Sequence, residues 1–456
     1  MQKAKTFFRL EVNFLDGPVF RALVLFAMPL FVSNIFQQLY NTVDTMIVGN
    51  YLGDTSLAAI GACSAIYELL VGFALGIGNG LSIVTARSYG AGEESLLKKS
   101  VACSIVIGIV SSAVLTIAGI LILRPLLLIL NTPEEIVAET YSYISVITWF
   151  IIVMFAYNLC SGLMRAIGNS IMPLIFLVIS SLANIVLDLL LITQFHMGIR
   201  GAAVATVVSQ GISVVFCILY IWKKVPLLIP GKEHFWPDRD LYMEMVGQGL
   251  SMGFMGSIVS AGSVILQYGI NGLGMLVIAG HTAARKLYMF FNMPFTAMSM
   301  SISTFVSQNR GANQGKRIRR ALRCSYMFDA AAAGAITVFL LFAAPVLVKL
   351  ISGSCEPEVL ENGTRYLIVV GPFYAVLGVL IQSRYALQGI GEKLLPLISS
   401  VIELVGKVLF VLILIPRFQY TAVIFCEPVI WCVMAVQLLY SLYRNPFIRE
   451  AGRNFL

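Results

Sequence analysis

The sequence predicts an all-α polytopic membrane protein with twelve transmembrane helices in two parallel six-helix repeats. Its apolar composition, its long apolar runs and an internal duplication predict this fold. Of the 456 residues, 58% are hydrophobic and 12% are charged, and the mean hydropathy is +0.87. Because about a quarter of the residues in a soluble domain are charged, this composition places the chain in a lipid bilayer.

Long apolar runs set the number of helices. About 20 apolar residues cross the hydrocarbon core as an α-helix, and runs of this length are too long for barrel strands. Backbone groups in lipid must bond within their own segment, so each run is predicted to be helical. The predicted spans are 22–49, 56–83, 99–123, 136–159, 165–193, 199–222, 243–270, 275–306, 320–348, 359–383, 394–415 and 420–442.

The two halves of the chain repeat each other. Each half contains six predicted spans, so the second half enters the membrane from the same side as the first. A pseudo-two-fold axis along the membrane normal follows, an architecture that suits alternating access. The matched positions include Leu52-Gly53 with Leu273-Gly274, Tyr67 with Tyr288, Gly90-Ala91 with Gly311-Ala312, Lys98-Lys99 with Arg319-Arg320, Gly168 with Gly391, and Pro173-Leu174-Ile175 with Pro396-Leu397-Ile398.

The stretch between the repeats is the most polar part of the chain. It contains Pro226, Pro230 and Pro237, which is typical of a linker. The predicted domains are an amino-terminal six-helix lobe with a cation site over 1–225, a cytoplasmic linker over 226–240, and a carboxy-terminal six-helix lobe over 241–456.

The distribution of positive charge predicts the orientation of the protein. The formal net charge is +8, and most of the 31 Lys and Arg residues fall in the termini and in alternate loops. Cytoplasmic loops retain positive residues, so we expect a multi-pass protein of the cell inner (plasma) membrane with both termini in the cytoplasm. Because the charge reflects topology, no nucleic-acid partner is expected.

Polar side chains inside the predicted helices are the candidates for function. By insertion scales, an Asp at mid-helix costs roughly 2.5–3.5 kcal/mol, so such a residue marks function by default. In the first span, Pro29 predicts a kink or a bending point. The same span carries one polar stripe at helical spacing, formed by Gln37, Tyr40, Asn41 and Asp44.

Two further spans place polar groups at the depth of Asp44. Asn184 and Asp188 are one turn apart in the fifth span, and Thr206 lies at a similar depth in the sixth. Oxygen ligands of this kind suit Na⁺, and a pair of carboxylates can equally bind and release a proton. In the alternative interpretation, each Asp is hydrogen-bonded to neighbouring hydroxyls and only holds helices together.

The duplication favours the functional interpretation, because the second half lacks these groups. General helix contacts would be needed in both halves. The sequence therefore predicts a cation site in the first lobe. The aligned pairs are Asp44 with Ile265, Asn184 with Lys407, Asp188 with Val411 and Thr206 with Val429.

The second half has polar residues of its own. Glu403 and Lys407 are one turn apart on one helix, which favours a structural ion pair. His281 and Arg285 are also one turn apart and could line a substrate cavity, although a lone histidine is more often a satisfied core residue. Two glutamates have no partner that the sequence identifies: Glu68 and Glu427.

Several motifs are specific when they are taken together: Pro29, the stripe from Gln37 to Asp44, VGNYLGDTSLAAIG (48–61), ARSYGAG (86–92), RAIGNSIMP (165–173) and NIVLD (184–188). This combination resembles the multidrug and toxic compound extrusion (MATE) transporters over nearly the whole chain. The resemblance implies a twelve-helix, two-lobe antiporter that exports organic, often cationic, compounds by using inward Na⁺ or H⁺. It also implies a cation site formed by Asp44, Asn184, Asp188 and Thr206, with Tyr40 as a close neighbour.

One departure from the family pattern concerns the second lobe. A sodium-driven branch of the family has acidic residues in its seventh and tenth helices. The corresponding stretches of this chain, around Gln267 and around Gln382-Ser383, have none. The resemblance therefore favours a coupling site that is confined to the first lobe.

The sequence thus predicts a cation-coupled (H⁺ or Na⁺) antiporter that exports amphipathic, often cationic small organic molecules by alternating access, and not an enzyme. The alternative is a lipid-linked precursor flippase of the related flippase branch, which needs a strongly basic central cavity and usually more spans. We expect a monomer in the bilayer, small-molecule substrates, and no cofactor beyond the coupling ion. Candidate substrate-cavity residues are Gln37, Asn41, Tyr143, Asn158, Met164, His281 and Arg285.

Overall fold

A computed structural model describes residues 11–129 and 132–453, and over these residues it contains only helices, turns and connecting segments. The predicted all-α fold is confirmed. A π-helix extends α6 at Leu190–Gln194, and a second one joins α13 to α14 at Phe410–Leu414. The α-helices are α1 Val19–Leu52, α2 Asp54–Gly90, α3 Glu94–Ile129, α4 Glu134–Trp149, α5 Ile151–Ala166, α6 Ile171–Leu189, α7 Ile199–Lys224, α8 Arg239–Asn271, α9 Met275–Gly311, α10 Gly315–Ser352, α11 Pro357–Val370, α12 Tyr374–Ile390, α13 Leu394–Leu409, α14 Ile415–Phe418, α15 Tyr420–Arg444 and α16 Pro446–Arg453.

The internal duplication is visible in the helix boundaries. The helices α2 and α9 begin at the aligned residues Asp54 and Met275, and each has 37 residues. The helices α6 and α13 begin at the aligned residues Ile171 and Leu394, and each passes into a π-helix. The two halves therefore repeat one order of helices, as the sequence predicts.

Length and apolar composition identify ten helical segments in the described chain that could cross a membrane, some of which join two of the helices named above. The pair α4 and α5 brings the number to eleven if it is one broken span. The helix α9 matches the predicted span 275–306, but Ser, Thr, Asn and charged residues interrupt its apolar sequence and it is not among the ten. Each of the twelve predicted spans overlaps helical segments of the structure, although two of them are interrupted.

The predicted span 136–159 is not one continuous helix. The helices α4 and α5 meet at Phe150 with a bend of 50°. The neighbouring predicted span, 165–193, also begins later than expected, because a turn separates α5 from α6, which starts at Ile171.

Glycine is required in that turn. Gly168 has a φ of +93°, and its carbonyl accepts a hydrogen bond of 2.9 Å from the Val12 N–H. A Cβ at this position would collide with the Val12 carbonyl oxygen. Asn169 Oδ1 then accepts the Met172 N–H at 3.1 Å, at the start of α6. The RAIGNSIMP motif thus fixes the start of the helix that carries Asp188.

The described chain divides into two compact units. The division falls inside α8 rather than in the predicted linker, so the lobe boundaries drawn from the sequence remain a prediction. The first unit comprises 11–17 and Leu25–Gly256, and the second comprises Pro18–Val24 and 257–453.

Close backbone contact joins the first part of α8, up to Gly256, to the first unit. There, α2 packs against α3, α4 and α5, and α7 packs against α4, α5 and α6. A Cβ at Gly76 would lie 2.6 Å from Gly253 Cα on α8, and one at Gly80 would lie 2.6 Å from Gly249 Cα. Helices in lipid associate closely where such small residues face each other.

Aromatic side chains form much of the core of the second unit. There, α9 packs against α10, α11 and α12, and α15 packs against α12 and α13. The buried ring of Tyr374 stacks on Tyr288 and on Phe295, with 5.9 Å between ring centroids in both pairs.

Candidate functional site

The two predicted carboxylates meet in the first unit. Asp44 is half-buried on α1, and Asp188 is fully buried in the last turn of α6. The two carboxyl groups lie within hydrogen-bonding reach of each other. In the described part of the chain, the Oδ1 atom of each is buried without a hydrogen-bond partner. Two negative charges repel strongly in such a site, so the pair requires a proton or a metal cation.

Asn184 and Thr206 complete the polar cluster. The Asn184 amide has one orientation in which both its nitrogen and its oxygen form hydrogen bonds. In that orientation the nitrogen donates to Asp188 Oδ2 at 3.1 Å, and the oxygen accepts the Thr206 backbone N–H at 3.3 Å. The Tyr40 hydroxyl lies beside the Thr206 hydroxyl, which donates to the Ala202 carbonyl at 3.0 Å. The structure therefore brings together all five residues of the predicted cation site.

The donor set favours a proton or a hard cation. Among the residues that the structure describes, no group of three or more His, Cys, Asp or Glu side chains could hold a metal ion. A metal ion here would be bound by two carboxylates and hydroxyl oxygens, and by the Asn184 amide oxygen once the amide turns that oxygen towards Asp188. Such ligands suit Na⁺ far better than a transition metal, which prefers imidazole or thiolate.

Two tyrosines lie near Asp44. Tyr67 and Tyr143 are both electrostatic neighbours of its carboxyl group. Tyr143, a predicted substrate-cavity residue, is only 7% exposed and packs in an apolar cluster with Met154. Tyr67 is not among the residues predicted for the site, and its only sequence signal is its match with Tyr288 in the repeat.

The other predicted cavity residues of the first unit differ in accessibility. Gln37 and Asn41 are exposed on α1, on the stripe that also carries Asp44. Asn158 is half-buried, and its side-chain amide donates to the Met154 carbonyl at 2.7 Å. Met164 is fully buried in an apolar cluster and packs as a core residue in this structure.

The helix α1 continues through Pro29 without a break. The Ser33 hydroxyl donates to the Pro29 carbonyl at 2.8 Å, one turn further along the helix. Proline has no N–H to donate, so the helix has a weak point here, and a hinge at Pro29 remains a prediction. Glu68 is exposed on α2.

Glu427 has a partner that the sequence does not identify. Arg285 Nη1 on α9 donates to both carboxylate oxygens of Glu427 on α15, at 2.8 Å each. The Tyr366 hydroxyl donates to Glu427 Oε2 at 2.9 Å. His281 Nδ1 lies 3.3 Å from the Tyr420 hydroxyl. Arg285 and His281, predicted for a substrate cavity, are therefore both engaged within the second unit.

The predicted ion pair on α13 is confirmed. Lys407 Nζ lies 2.9 Å from Glu403 Oε1, and both side chains are buried. A second cation, Arg384, lies 3.8 Å from Glu403 Oε2, and its Nε donates to the Ser399 hydroxyl at 3.0 Å. Arg384 lies inside α12, although the predicted span ends at residue 383.

Asp329 is a buried carboxyl group that the sequence interpretation missed. It lies on α10 with no exposed surface, and the Gln382 side-chain amide donates to its Oδ1 at 3.2 Å. Its Oδ2 and Gln382 Oε1 are buried without a hydrogen-bond partner among the described residues. Its signal in the sequence is a single acid within the apolar run 320–348.

Comparison with known proteins finds one protein family over most of the chain. A sequence model of the MatE family matches residues 29–190 and again 252–413, once in each half. The chain is 28% identical to the "Probable multidrug resistance protein YpnP" of Bacillus subtilis (strain 168), over 86% of this chain and 87% of that protein. It is 24% identical to a "FAD transporter" of Shewanella oneidensis, over 87% of this chain and 88% of that protein.

Solved structures share the fold. One described as an "Outward-facing conformation of a multidrug resistance MATE family transporter of the MOP superfamily" matches with a TM-score of 0.89 and 22% identity, over 98% of this chain and 100% of that chain. A "Crystal structure of MATE in the bent conformation" matches with a TM-score of 0.86 and 22% identity, over 98% and 99% of the two chains.

Proposed function

The chain belongs to the MatE family, and on that premise we propose that it is an antiporter that exports amphipathic, often cationic small organic molecules in exchange for H⁺ or Na⁺. The observation that carries this proposal is the carboxyl pair formed by the half-buried Asp44 and the buried Asp188, with Asn184, Thr206 and Tyr40 around it. In a membrane protein, a buried carboxyl pair without a cationic side chain beside it is suited to bind a mobile cation.

The pair can couple cation binding to substrate release through its charge. When the coupling cation leaves, the carboxylates regain negative charge and attract a cationic substrate. When H⁺ or Na⁺ binds again, the charge is neutralised and the attraction for the substrate falls. The exposed polar residues Gln37 and Asn41 lie on the same helix as Asp44 and are proposed to contact the substrate.

Movement of α1 provides a way to transmit this change. Asp44 and Pro29 lie on one continuous helix, Val19–Leu52. Because Pro29 leaves a backbone carbonyl of the helix without its donor, bending there costs less than elsewhere. We propose that loading of the carboxyl pair changes the bend of α1 at Pro29 and so changes the side from which the site is reached.

The names of the relatives favour an exporter over a lipid-linked precursor flippase. They include multidrug resistance proteins and one FAD transporter, so relatives of similar identity differ in their named substrates. We propose amphipathic cations as substrates because a site that regains negative charge selects for them. We also propose that the protein is a monomer in the plasma membrane with both termini in the cytoplasm.

Dye transport in reconstituted vesicles tests this function. Purified protein is placed in vesicles that contain ethidium, and a sodium gradient and a pH gradient are imposed separately. We expect at least one gradient to drive ethidium movement above the rate of protein-free vesicles. Asp240→Asn, an exposed change at the start of α8, serves as the control and should transport normally. Transport that neither gradient drives would show that cation coupling is absent.

A further inference from the structure

A cavity of about 600 Å³ lies at the start of α10 in the second unit. Among the residues that the structure describes, its lining consists of one apolar side chain and five cations. Arg319 and Arg320 are not part of any salt bridge between described residues. The lining residues are Val19, Lys316, Arg317, Arg319, Arg320 and Arg323.

The repeat shows that this concentration of positive charge is specific to the second half. In the first half, Lys98 and Lys99 stand at the positions of Arg319 and Arg320, but each has an acidic partner. Lys98 lies 2.6 Å from Glu94, and Lys99 lies 3.8 Å from Asp238.

The second copy has lost acids and gained cations at this helix start. Gln314 and Gly315 replace Glu93 and Glu94, and Lys316, Arg317 and Arg323 replace Ser95, Leu96 and Ala102. The preference for positive residues in cytoplasmic loops accounts for cations in both halves. It does not account for the removal of acids from one half, nor for a cavity lined by cations.

A second cavity continues from the first along the side of α10. It has a volume of about 320 Å³ and shares Arg319 and Arg323 with the cationic cavity. Its other lining residues are aromatic or apolar, and Met327 and Tyr443 are largely exposed. These other residues are Tyr326, Met327, Ala330 and Tyr443. The two cavities together pass from a cationic end at the start of α10 to an apolar groove one to three turns further along the helix.

We propose that this pair of cavities binds a phospholipid with an anionic headgroup, with the headgroup at Arg319, Arg320 and Arg323 and an acyl chain along Met327, Ala330 and Tyr443. The guanidinium groups supply planar pairs of donors that match phosphate oxygens. The Arg319 side chain is held in place, because its Nε donates to the Ile448 carbonyl on α16 at 2.7 Å. The apolar groove distinguishes a lipid from a free phosphate ion, which would use only the cationic end. This proposal depends on the membrane location of the chain and not on the proposed transport cycle.

Lipid retention by the purified full-length protein tests the proposal. The dissociation constants of phosphatidylglycerol and of phosphatidylcholine are measured by native mass spectrometry in detergent. We expect phosphatidylglycerol to bind at least about tenfold more tightly. Arg320→Gln/Arg323→Gln, which changes two exposed side chains, should remove this preference and leave phosphatidylcholine binding unchanged, and Arg320→Lys/Arg323→Lys should restore part of it.

The repeat supplies the matched control, Lys98→Gln/Lys99→Gln, which removes the same number of charges from the first half and should leave the preference intact. Equal binding of the two lipids by the unmodified protein would overturn the proposal. So would an equal loss of preference in the control, which would indicate general attraction to a basic surface. Displacement of phosphatidylglycerol by an equal concentration of inorganic phosphate would identify a free-phosphate site and overturn the lipid assignment.

Discussion

The two halves of this protein bury carboxyl groups in opposite ways. In the first half, Asp44 and Asp188 face each other with amide and hydroxyl neighbours. In the second half, Glu427 lies against Arg285, and Glu403 lies against Lys407. A buried ion pair is neutral and holds one geometry, whereas a carboxyl pair changes charge when a proton or Na⁺ binds. One scaffold has thus produced a half that is suited to respond to cations and a half whose buried glutamates are held by cationic side chains.

Asp329 is an exception to this contrast, because it is a buried carboxyl group of the second half that has no cationic partner among the described residues. It is buried in the second half, and its only hydrogen bond between described residues comes from the Gln382 amide. A carboxylate this poorly solvated is costly, so a proton on Oδ2 is the simplest way to satisfy the group. If Asp329 stays protonated throughout the cycle, the contrast between the halves holds.

The largest effect on transport is expected from removal of the carboxyl pair. Asp44→Asn and Asp188→Asn each keep the size of the side chain but cannot bind a proton or compensate the charge of Na⁺. We expect gradient-driven ethidium transport to fall by at least about tenfold, which corresponds to about 1.4 kcal/mol. Transport in vesicles with equal protein content measures this. Full activity in either variant would show that the corresponding carboxyl group is not needed for transport.

The largest effect on stability is expected in the second half. Arg285→Met leaves Glu427 buried, and the Tyr366 hydroxyl is then its one hydrogen-bond donor among the described residues. The protein should be destabilised by about 3 kcal/mol, near the lower end of what breaking a buried ion pair costs. Arg285→Met/Glu427→Gln removes both charges and should recover most of this loss. Thermal unfolding in detergent measures both variants. Asp44→Asn should show no such loss, and a comparable loss would mean that the carboxyl pair is structural.

A smaller effect is expected from the contact of α2 with α8. Gly76→Ala places a Cβ against the Gly253 backbone and should cost about 1–3 kcal/mol. Gly72→Ala on the same helix meets no atom within 4 Å and is the matched control. The position aligned with Gly76 in the second half is Ala297, so the requirement for glycine is confined to the first half. Equal thermal stability of the two variants would show that α8 can move away at no cost.

The smallest effect is expected at Asp329. Asn has the size of a protonated Asp and can still hydrogen-bond with Gln382, so Asp329→Asn should leave ethidium transport and thermal stability unchanged. The same vesicle and unfolding assays apply. Loss of transport with retained stability would make Asp329 a second coupling group. The coupling site would then not be confined to the first half.

Local spacing predicted most of the candidate site. Asn184 and Asp188 are one helical turn apart, and the approximate depth of Asp44 and Thr206 followed from the ends of their spans. Interactions between distant segments could not be predicted from local spacing. Glu427 and Arg285 lie on different helices, and no local pattern links them. The Arg384 contact was missed because the apolar run ends before α12 does.

The bend between α4 and α5 could not be predicted from local sequence either. Residues 146–153 contain neither Pro nor Gly, the usual signals of a broken helix, and Thr148 is the one polar residue in this run. Tertiary packing therefore sets the bend at Phe150. Asp329 was missed for a different reason, because one acid in a long alanine-rich run does not interrupt its helical pattern.

Cation binding by the substrate-free protein tests the central claim most directly. Proton uptake is measured by acid titration of the purified protein, and ²²Na⁺ binding is measured by equilibrium dialysis. Asp44→Asn/Asp188→Asn is compared with Asp329→Asn and with the unmodified protein. We predict that the unmodified protein and Asp329→Asn bind H⁺ or Na⁺ equally and that the double variant loses this binding. Equal binding by the double variant would contradict the assignment of the coupling site to the first half.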